Sequence, residues 1–440
     1  MHLAALALLI PCIGAAQATT YEVLYSFTGN PDGAQPDAAL VIGKDGALYG
    51  TTNVGGSSEL GTVFRLSPAT GVPWTETVIH NFTGPDGQYP TAALVSDGGS
   101  FYGATKFGGT GAGTIFELAP PANAGGAWTE TLLYSFVYSK DSQNVAPIGP
   151  LLIAPGGTMF TTTEGAPDVP LGLRFGAVIA LVPPAAPGDD WAEYEISPFG
   201  GPPEGEWPFA GVVSEGGSLF GTAAYGGDEY CDGPEGCGTV YELTPPAIQG
   251  NPWTQTTIHT FGSVPNDGAD PEALTVGPGG VLYGTTQSGG TEFCPTADGV
   301  GNPCGTVFQL APPTVSGGTW TYSVIYNFTA TNGDGEAPSA GVVVGKNGAL
   351  YGTTQYGGSA TSACPPSYYV LPGCGTVFGL TPPATPGGTW TEKVLHSFSG
   401  ANGDGSMPVA GLALSSDGVL YGTTSAGGTA GKGTVFAIVP

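Results

Sequence analysis

Three insertions in the chain carry cysteines in pairs: "DEYCDGPEGCGTV" with Cys231 and Cys237, "TEFCPTADGVGNPCGTV" with Cys294 and Cys304, and "SATSACPPSYYVLPGCGTV" with Cys364 and Cys374. Pairing within each insertion is the simplest arrangement, because whole repeats separate one insertion from the next. Zinc fits poorly, since no further cysteine or histidine stands at ligand spacing. In an exported chain these pairs are disulfides. A bridge closing so small a ring adds little stability to a large fold, and its better use is to stiffen a loop and lower the ordering cost of binding. Aromatics crowd the same segments: Tyr225, Tyr230, Phe293, Tyr356, Tyr368 and Tyr369, with Trp207 on a neighbouring loop. Solvent-facing rings of this kind stack on sugars or anchor a protein partner. Buried rings of the same kind simply pack the loops.

Carboxylates form the second constellation. A "DGxxP" phrase recurs with Asp32, Asp86, Asp267, Asp334 and Asp404, and Glu204 stands in the related "PEGEWP". Six acids around one mouth would attract cations. The forms "NGDGE" and "NGDGS" place Asn332, Asp334, Asn402 and Asp404 at alternate positions, as calcium loops do, although no bidentate glutamate follows at the required spacing. Asp-Gly is equally a turn whose carboxylate accepts backbone N–H groups. No resident cofactor is expected beyond this calcium option.

Catalysis has less to work with. Past His2, the histidines are His80, His259 and His396, each in a place where other repeats have Tyr25, Tyr134 or Tyr326, so they read as structural. The apolar stretches "AALVIG", "AALVSD", "GPLLIA", "AGVVSE", "EALTVG", "AGVVVG" and "AGLALS" offer almost no titratable group to a channel they would line. A glycosidase needs two placed carboxyls. Asp228, Glu229, Glu204 and Glu206 are available, but so many acids make such a coincidence cheap.

The elements that hold these residues follow from a repeat. "GALYGTTNVGG", "GVLYGTTQSGG" and "GALYGTTQYGG" are near copies, and the aromatic of the phrase recurs as Tyr49, Tyr102, Phe160, Phe220, Tyr283, Tyr351 and Tyr421. A fixed phrase at this spacing marks a repeat architecture. Each unit contains four strand-like pieces with prolines between them and nothing resembling a capped helix. Seven such units predict an all-β, seven-bladed β-propeller of four-stranded antiparallel blades. The last unit stops after "GTVFAIVP", one strand short, whereas "TTYEVLYSF" supplies a lone fourth strand. Residues 19–28 are therefore expected to complete the blade formed by 409–440 and close the ring. Trp74, Trp128, Trp191, Trp253, Trp320 and Trp390 all open fourth strands and read as blade packing. The third unit is irregular: Thr161 replaces the glycine of the phrase, and Arg174 is one of two arginines.

The pattern "LYGTTxxGG…GTVFxLxP…W…F…DGxxP" resembles the repeat of the choice-of-anchor tandem repeat GloVer-containing proteins, which are exported bacterial proteins. That resemblance covers essentially all of residues 19–440 and implies no agreed activity. Such proteins often carry a C-terminal anchor or sorting segment. This chain ends at Pro440 with a strand, so free secretion or a periplasmic location is the expectation.

Bulk properties narrow the function. Glycine (77) and proline (41) are abundant, yet 40% of the 440 residues are hydrophobic, too many for a disordered chain. With 8 Lys+Arg against 35 Asp+Glu, the formal charge is -27, which excludes phosphate-tracking nucleic-acid binding and repels anionic lipid. The start "MHLAALALLIPCIGAAQATT" reads as a secretory signal, residues 1–18, cut after Ala18. No other apolar run spans a membrane. The resulting expectation is an exported monomeric propeller that binds carbohydrate or a protein through its disulfide-braced loops without catalysis. A polysaccharide-active hydrolase or lyase is the alternative, and a structural envelope protein is third.

Overall fold

The computed structural model describes residues 19–68, 74–123, 125–137, 145–165, 175–186, 188–201, 203–227, 236–248, 251–294, 302–315, 317–359, 364, 373–385 and 387–440. Among them are seven four-stranded antiparallel sheets. They form the blades of a propeller, each running from an inner first strand to an outer fourth. Blade 1 illustrates the unit, with strands Val41–Ile42, Leu48–Thr52, Thr62–Ser67 and Thr75–Asn81. The described helical content is two short 3-10 turns, Pro278–Gly280 and Lys346–Gly348. Both lie in hairpins, and the second needs the left-handed backbone of Asn347 (φ 60) and Gly348 (φ 76).

Blade 7 takes its inner three strands, Ala413–Leu414, Leu420–Thr424 and Thr434–Val439, from one end of the chain and its fourth, Thr20–Ser26, from the other. The closing strand pairs in antiparallel register from Thr20 opposite Val439 to Ser26 opposite Thr434. Phe27 then donates its N–H to the Gly433 carbonyl at 3.0 Å. No blade is left with a half-built edge.

The recurring phrase owes its wording to contacts between neighbouring strands and blades. Its aromatic meets the tryptophan that opens the next blade's fourth strand, as with Tyr49 and Trp128 at 5.8 Å or Phe220 and Trp320 at 5.3 Å. Its glycine lies under a third-strand ring: a Cβ on Gly352 would stand 2.6 Å from Phe378 Cζ, and one on Gly50 would stand 2.7 Å from Phe64 Cζ. The first threonine bonds the next blade's inner strand, as Thr353 Oγ1 does to the Ala410 carbonyl at 2.9 Å. The second bonds the threonine of "GTV", as Thr354 does to Thr376 at 2.8 Å. On the outer side, Phe27, Phe82, Phe199, Phe261, Phe328 and Phe398 are buried and meet the third-strand ring of the next blade edge-on, at 5.1 Å for Phe27 against Phe64.

The irregular third blade has a packing explanation. Where six blades pair glycine with Phe or Tyr, blade 3 pairs Thr161 with Ile179. The two face each other across the sheet, and both are buried. The smaller partner vacates the volume that the larger residue fills, and Thr161 Oγ1 donates to the Gly149 carbonyl at 2.7 Å. Arg174 lies outside the described residues.

Proline placement departs from expectation in blade 5. Its inbound segment has one residue fewer between Pro271 and Leu274 than blade 1 has between Pro36 and Leu40. The first strand consequently runs unbroken from Gly268 to Val276, with Pro271 inside it. A register shift between Pro271 and Leu274 removes the need for the missing N–H. Pro198 likewise ends an outer strand.

If the glycine and the ring are a matched pair, Gly352→Thr alone should lower stability by about 2 kcal/mol through overpacking, and Phe378→Ile by a similar amount through the cavity it leaves. The double substitution should cost less than the two together, by about 1 kcal/mol. Thermal or denaturant unfolding of the four proteins measures this, and strict additivity would show that the blade 3 pairing is coincidental.

Candidate functional site

The loop before each first strand and the loop after each second strand lie on one face of the disc and hydrogen-bond to each other. Bridges join Ala34 to Val54, Gln88 to Phe107 and Glu206 to Tyr225, and short ladders join Gly335–Glu336 to Tyr356–Gly357 and Gly405–Ser406 to Ala426–Gly427. The glycine pair ending the phrase permits this approach: Gly357 has φ 76, and a Cβ there would stand 2.7 Å from the Glu336 nitrogen. The expected juxtaposition of the two loop sets is therefore real.

Disulfides brace this face. Cys294 bonds Cys304 and Cys364 bonds Cys374, with Cα separations of 5.2 and 5.1 Å. All four cysteines are buried, so each bridge fastens its loop to the core and not to another exposed loop. Cys237 is disulfide-bonded, while its expected partner Cys231 lies outside the described residues.

The carboxylates of "DGxxP" behave differently from a ring of cation ligands. Asp334 Oδ2 accepts from the Thr329 N–H at 2.9 Å, the Thr329 hydroxyl at 2.9 Å and the Tyr326 hydroxyl at 3.1 Å, while its Oδ1 takes the Gly335 N–H at 2.7 Å. Asp404 repeats the pattern with Ser399, Gly405 and the Tyr21 hydroxyl; burial alone would raise its carboxyl, but His396 at 3.5 Å, followed by Tyr21 and Ser399, holds it well below the usual range. Asp32, Asp267 and Asp334 are buried. Each inbound loop begins where an outer strand ends, so its carboxylate is tied to that strand: Tyr25 donates to Asp32 at 2.7 Å, and His80 and His259 approach Asp86 and Asp267 at 3.1 Å. The acids thus sit in the outer seams between blades and not around the channel mouth. Asn332 and Asn402, both at φ 56, are left-handed turn positions. Among the described residues no group of three or more His, Cys, Asp or Glu side chains is placed to hold a metal ion. Each of the three histidines packs edge-on against the phenylalanine two residues on, as His80 does on Phe82 at 4.8 Å.

Of the seven expected ligand-facing aromatics, Tyr230, Tyr368 and Tyr369 lie outside the described residues, as do Asp228, Glu229 and the side chain of Phe293. Tyr356 is half-buried against Glu336, whose carboxyl burial pushes up to about 7. Trp207 and Tyr225 come together at 5.5 Å, and Phe209 joins them, 5.8 Å from Trp207. Trp207 and Phe209 are 38% and 40% exposed. They flank Pro208 where the inbound loop turns down into the channel wall, and Trp207 holds that bend with φ 53. Phe209 was not singled out in the sequence. Aligning the repeats exposes it, since the same position holds Asp37, Thr91, Ile148, Ser339 and Val409.

The channel is narrow, because its inner strands carry small residues. A Cβ on Gly411 would stand 3.8 Å from Ala340 Cβ and 4.0 Å from Ala39 Cβ, in the blades on either side. Two titratable groups stand at or just before first strands, Glu272 within that of blade 5 and Asp37 ahead of that of blade 1. Glu272 lies beside blade 4, whose Thr222 hydroxyl donates to its carbonyl at 2.9 Å. Burial, with Asp270 second, pushes the Glu272 carboxyl up to about 8, although part of the side chain stays accessible. Burial also pushes Asp37 up to about 6, against the opposing hydrogen bond from Asn53.

Fold and loop face together define a closed seven-bladed β-propeller with one disulfide-braced, aromatic-bearing face. The chain belongs to the Gloeobacter/Verrucomicrobia repeat family, whose profile matches residues 14–175 and 293–440. No curated protein matches the chain. Among solved structures, the calcium structure of the Trichoderma reesei carbohydrate-active enzyme of family AA12 aligns with TM-score 0.43 and 14% identity over 96% of both chains. An exo-1,5-alpha-L-arabinanase from a bovine ruminal metagenomic library aligns with TM-score 0.34 and 12% identity over 68% of this chain and 99% of its own. A Trypanosoma rangeli sialidase in complex with sialic acid aligns with TM-score 0.36 and 11% identity, over 85% of this chain and 56% of its own. At these scores none carries an argument about ligand or reaction.

Three seams carry a second acid from the next outer strand. Glu76 faces Asp32, Glu130 faces Asp86 and Glu392 faces Asp334, and burial, with the neighbouring aspartate second, pushes each glutamate up to about 7. Each has a buried Oε1 without a hydrogen-bond partner. A folded value above the ordinary glutamate value of about 4.3 means stability that is complete below that value and is lost as pH rises through 7. Thermal midpoints should therefore fall between pH 5 and pH 8. The triple variant Glu76→Gln, Glu130→Gln, Glu392→Gln should flatten that fall and melt higher than the parent at pH 8. An unchanged slope in the triple variant would place the pH dependence elsewhere.

Proposed function

We propose that this protein is an exported, non-catalytic binding module that takes carbohydrate on its disulfide-braced loop face. One observation carries the reading: Trp207 and Phe209, with Tyr225 beside them, hold aromatic surface open to solvent next to the channel mouth, on loops whose neighbours are covalently fastened. Rings fixed in this way stack on sugar faces with little loss of conformational freedom. The overall charge of -27 favours a neutral ligand over a polyanionic one. Disulfides suit an oxidising compartment, and no described helix is long and apolar enough to cross a membrane, in keeping with a secreted or periplasmic location after removal of residues 1–18.

A second reading, hydrolysis or elimination on a polysaccharide, is favoured by Glu272. A carboxyl kept protonated near neutrality beside Asp270 has the character of a general acid. In that case Glu272→Gln would abolish turnover of a polysaccharide while leaving its binding intact.

Retention on immobilised glycans should drop about tenfold in Trp207→Ala and Phe209→Ala, with thermal midpoints unchanged. Undiminished retention by both variants, or capture of a protein partner in place of glycan, would reject the carbohydrate reading. Mass spectrometry of the exported protein should show Thr19 as its first residue; an intact residue 1 would remove the export signal from the account.

A further inference from the structure

The opposite face of the disc, built from the hairpins between first and second strands and the connectors between third and fourth, holds a groove of about 930 Å³ at the seam of blades 1 and 2. Its volume is that of a small-molecule site. We infer that this groove is a second binding site, independent of the loop face, and that it takes a neutral oligosaccharide.

The floor is aromatic. Tyr49 and Phe101 are buried with centroids 4.1 Å apart, and the half-buried Trp128 ring lies 5.8 Å from each. Polar groups of both signs stand around this floor. Arg65 donates from Nη2 to Asp45 at 2.7 Å and from Nε to the Tyr49 hydroxyl at 3.0 Å. The Tyr49 hydroxyl in turn donates to Asp45 at 3.0 Å. Lys44 and Asp97 occupy the hairpins on either side and complete a rim of two cations and two carboxylates.

Three features select the ligand class. The first is the balance of charge: two of the 8 cations of a chain with formal charge -27 converge here, and the acids beside them bring the rim to neutrality. Such a rim supplies donors and acceptors to hydroxyl groups, whereas a uronate would face Asp45 and Asp97 as well as the cations. The second is rigidity. The arginine fork is held by a carboxylate, a phenol and the Ser67 hydroxyl, so the one N–H left on each terminal nitrogen is aimed before a ligand arrives. The third is singularity within the repeat. The position of Arg65 is Glu117, Ala180, Glu242, Gln309, Gly379 and Ala437 in the other blades. The corresponding seam of blades 6 and 7 is a smaller groove of about 370 Å³, lined without a tryptophan. Blade packing needs neither the arginine nor the larger groove.

The test is a printed array of neutral hexose and pentose oligosaccharides beside their uronic-acid counterparts, probed with the full protein and four variants. Arg65→Ala and Lys44→Ala remove donors, Ala127→Trp fills the groove from its exposed rim, and Trp207→Ala disables the loop face. Expected is binding to neutral oligosaccharides that weakens about tenfold in Arg65→Ala and in Ala127→Trp, while a component of it survives Trp207→Ala. Circular dichroism confirms that these surface variants fold. Binding confined to acidic oligosaccharides, neutral binding insensitive to Arg65→Ala and Ala127→Trp, neutral binding lost entirely in Trp207→Ala, or no neutral binding at all would each overturn the inference. Failure of the loop-face reading alone leaves the groove-dependent signal in place, so the two failures are distinguishable.

Discussion

Ring closure is the constraint on which the remaining structure depends. A four-stranded blade is hydrophobic on both faces and can bury them only against a blade on each side. The seventh blade meets that requirement by borrowing its outer strand from the other end of the chain, in register from Thr20 to Ser26. The borrowed strand also brings Phe27 against Phe64 of blade 1 and stacks Tyr21 on His396 of blade 6. It therefore joins blade 7 to both of its neighbours. The aromatic and hydroxyl contacts of the repeat recur between neighbouring blades, with local substitutions such as Ala104 for the first threonine and Ile179 for the third-strand ring.

Those substitutions explain why the phrase is so uniform. Its glycine is required by the ring above it, its aromatic by the tryptophan of the next blade, and its threonines by carbonyls and hydroxyls that a methyl group would leave unpaired. Blade 3 shows the rule by its exception, for it lost the glycine and the ring together. The uniform residues are consequently the structural ones, and whatever distinguishes this protein's activity must lie where the blades differ. Trp207, Phe209 and Glu272 on or near the loop face, and Arg65 on the opposite face, are such departures.

The acids follow the same logic from the other side. "DGxxP" repeats because its carboxylate ties an outer strand to the loop that follows, through a tyrosine hydroxyl or a histidine ring nitrogen. An acidic chain would suffer from so many buried carboxylates if they were not supplied with donors. In the seams where glutamate faces the aspartate, that supply falls short by one oxygen, and the carboxyl is pushed toward its neutral form. Stability is thereby linked to pH in a protein that has few cations with which to offset its charge.

Blade number, strand order, closure and the braced loop face were legible in residue order because each is a local or periodic signal: a fixed phrase, a turn dipeptide, paired cysteines within one insertion. Where a side chain points once the blades are stacked is not periodic in this way. Nothing in "DGxxP" reveals that its carboxylate turns outward to a strand of the preceding blade, and nothing in "EALTVG" reveals that burial pushes the carboxyl of its glutamate toward the neutral form. The same holds for Arg65 and Trp128, which lie far apart in the chain and share a groove only because two blades meet. Strand identity is decided within a few residues, while solvent access is decided by the neighbouring blade, and only the assembled ring contains that neighbour.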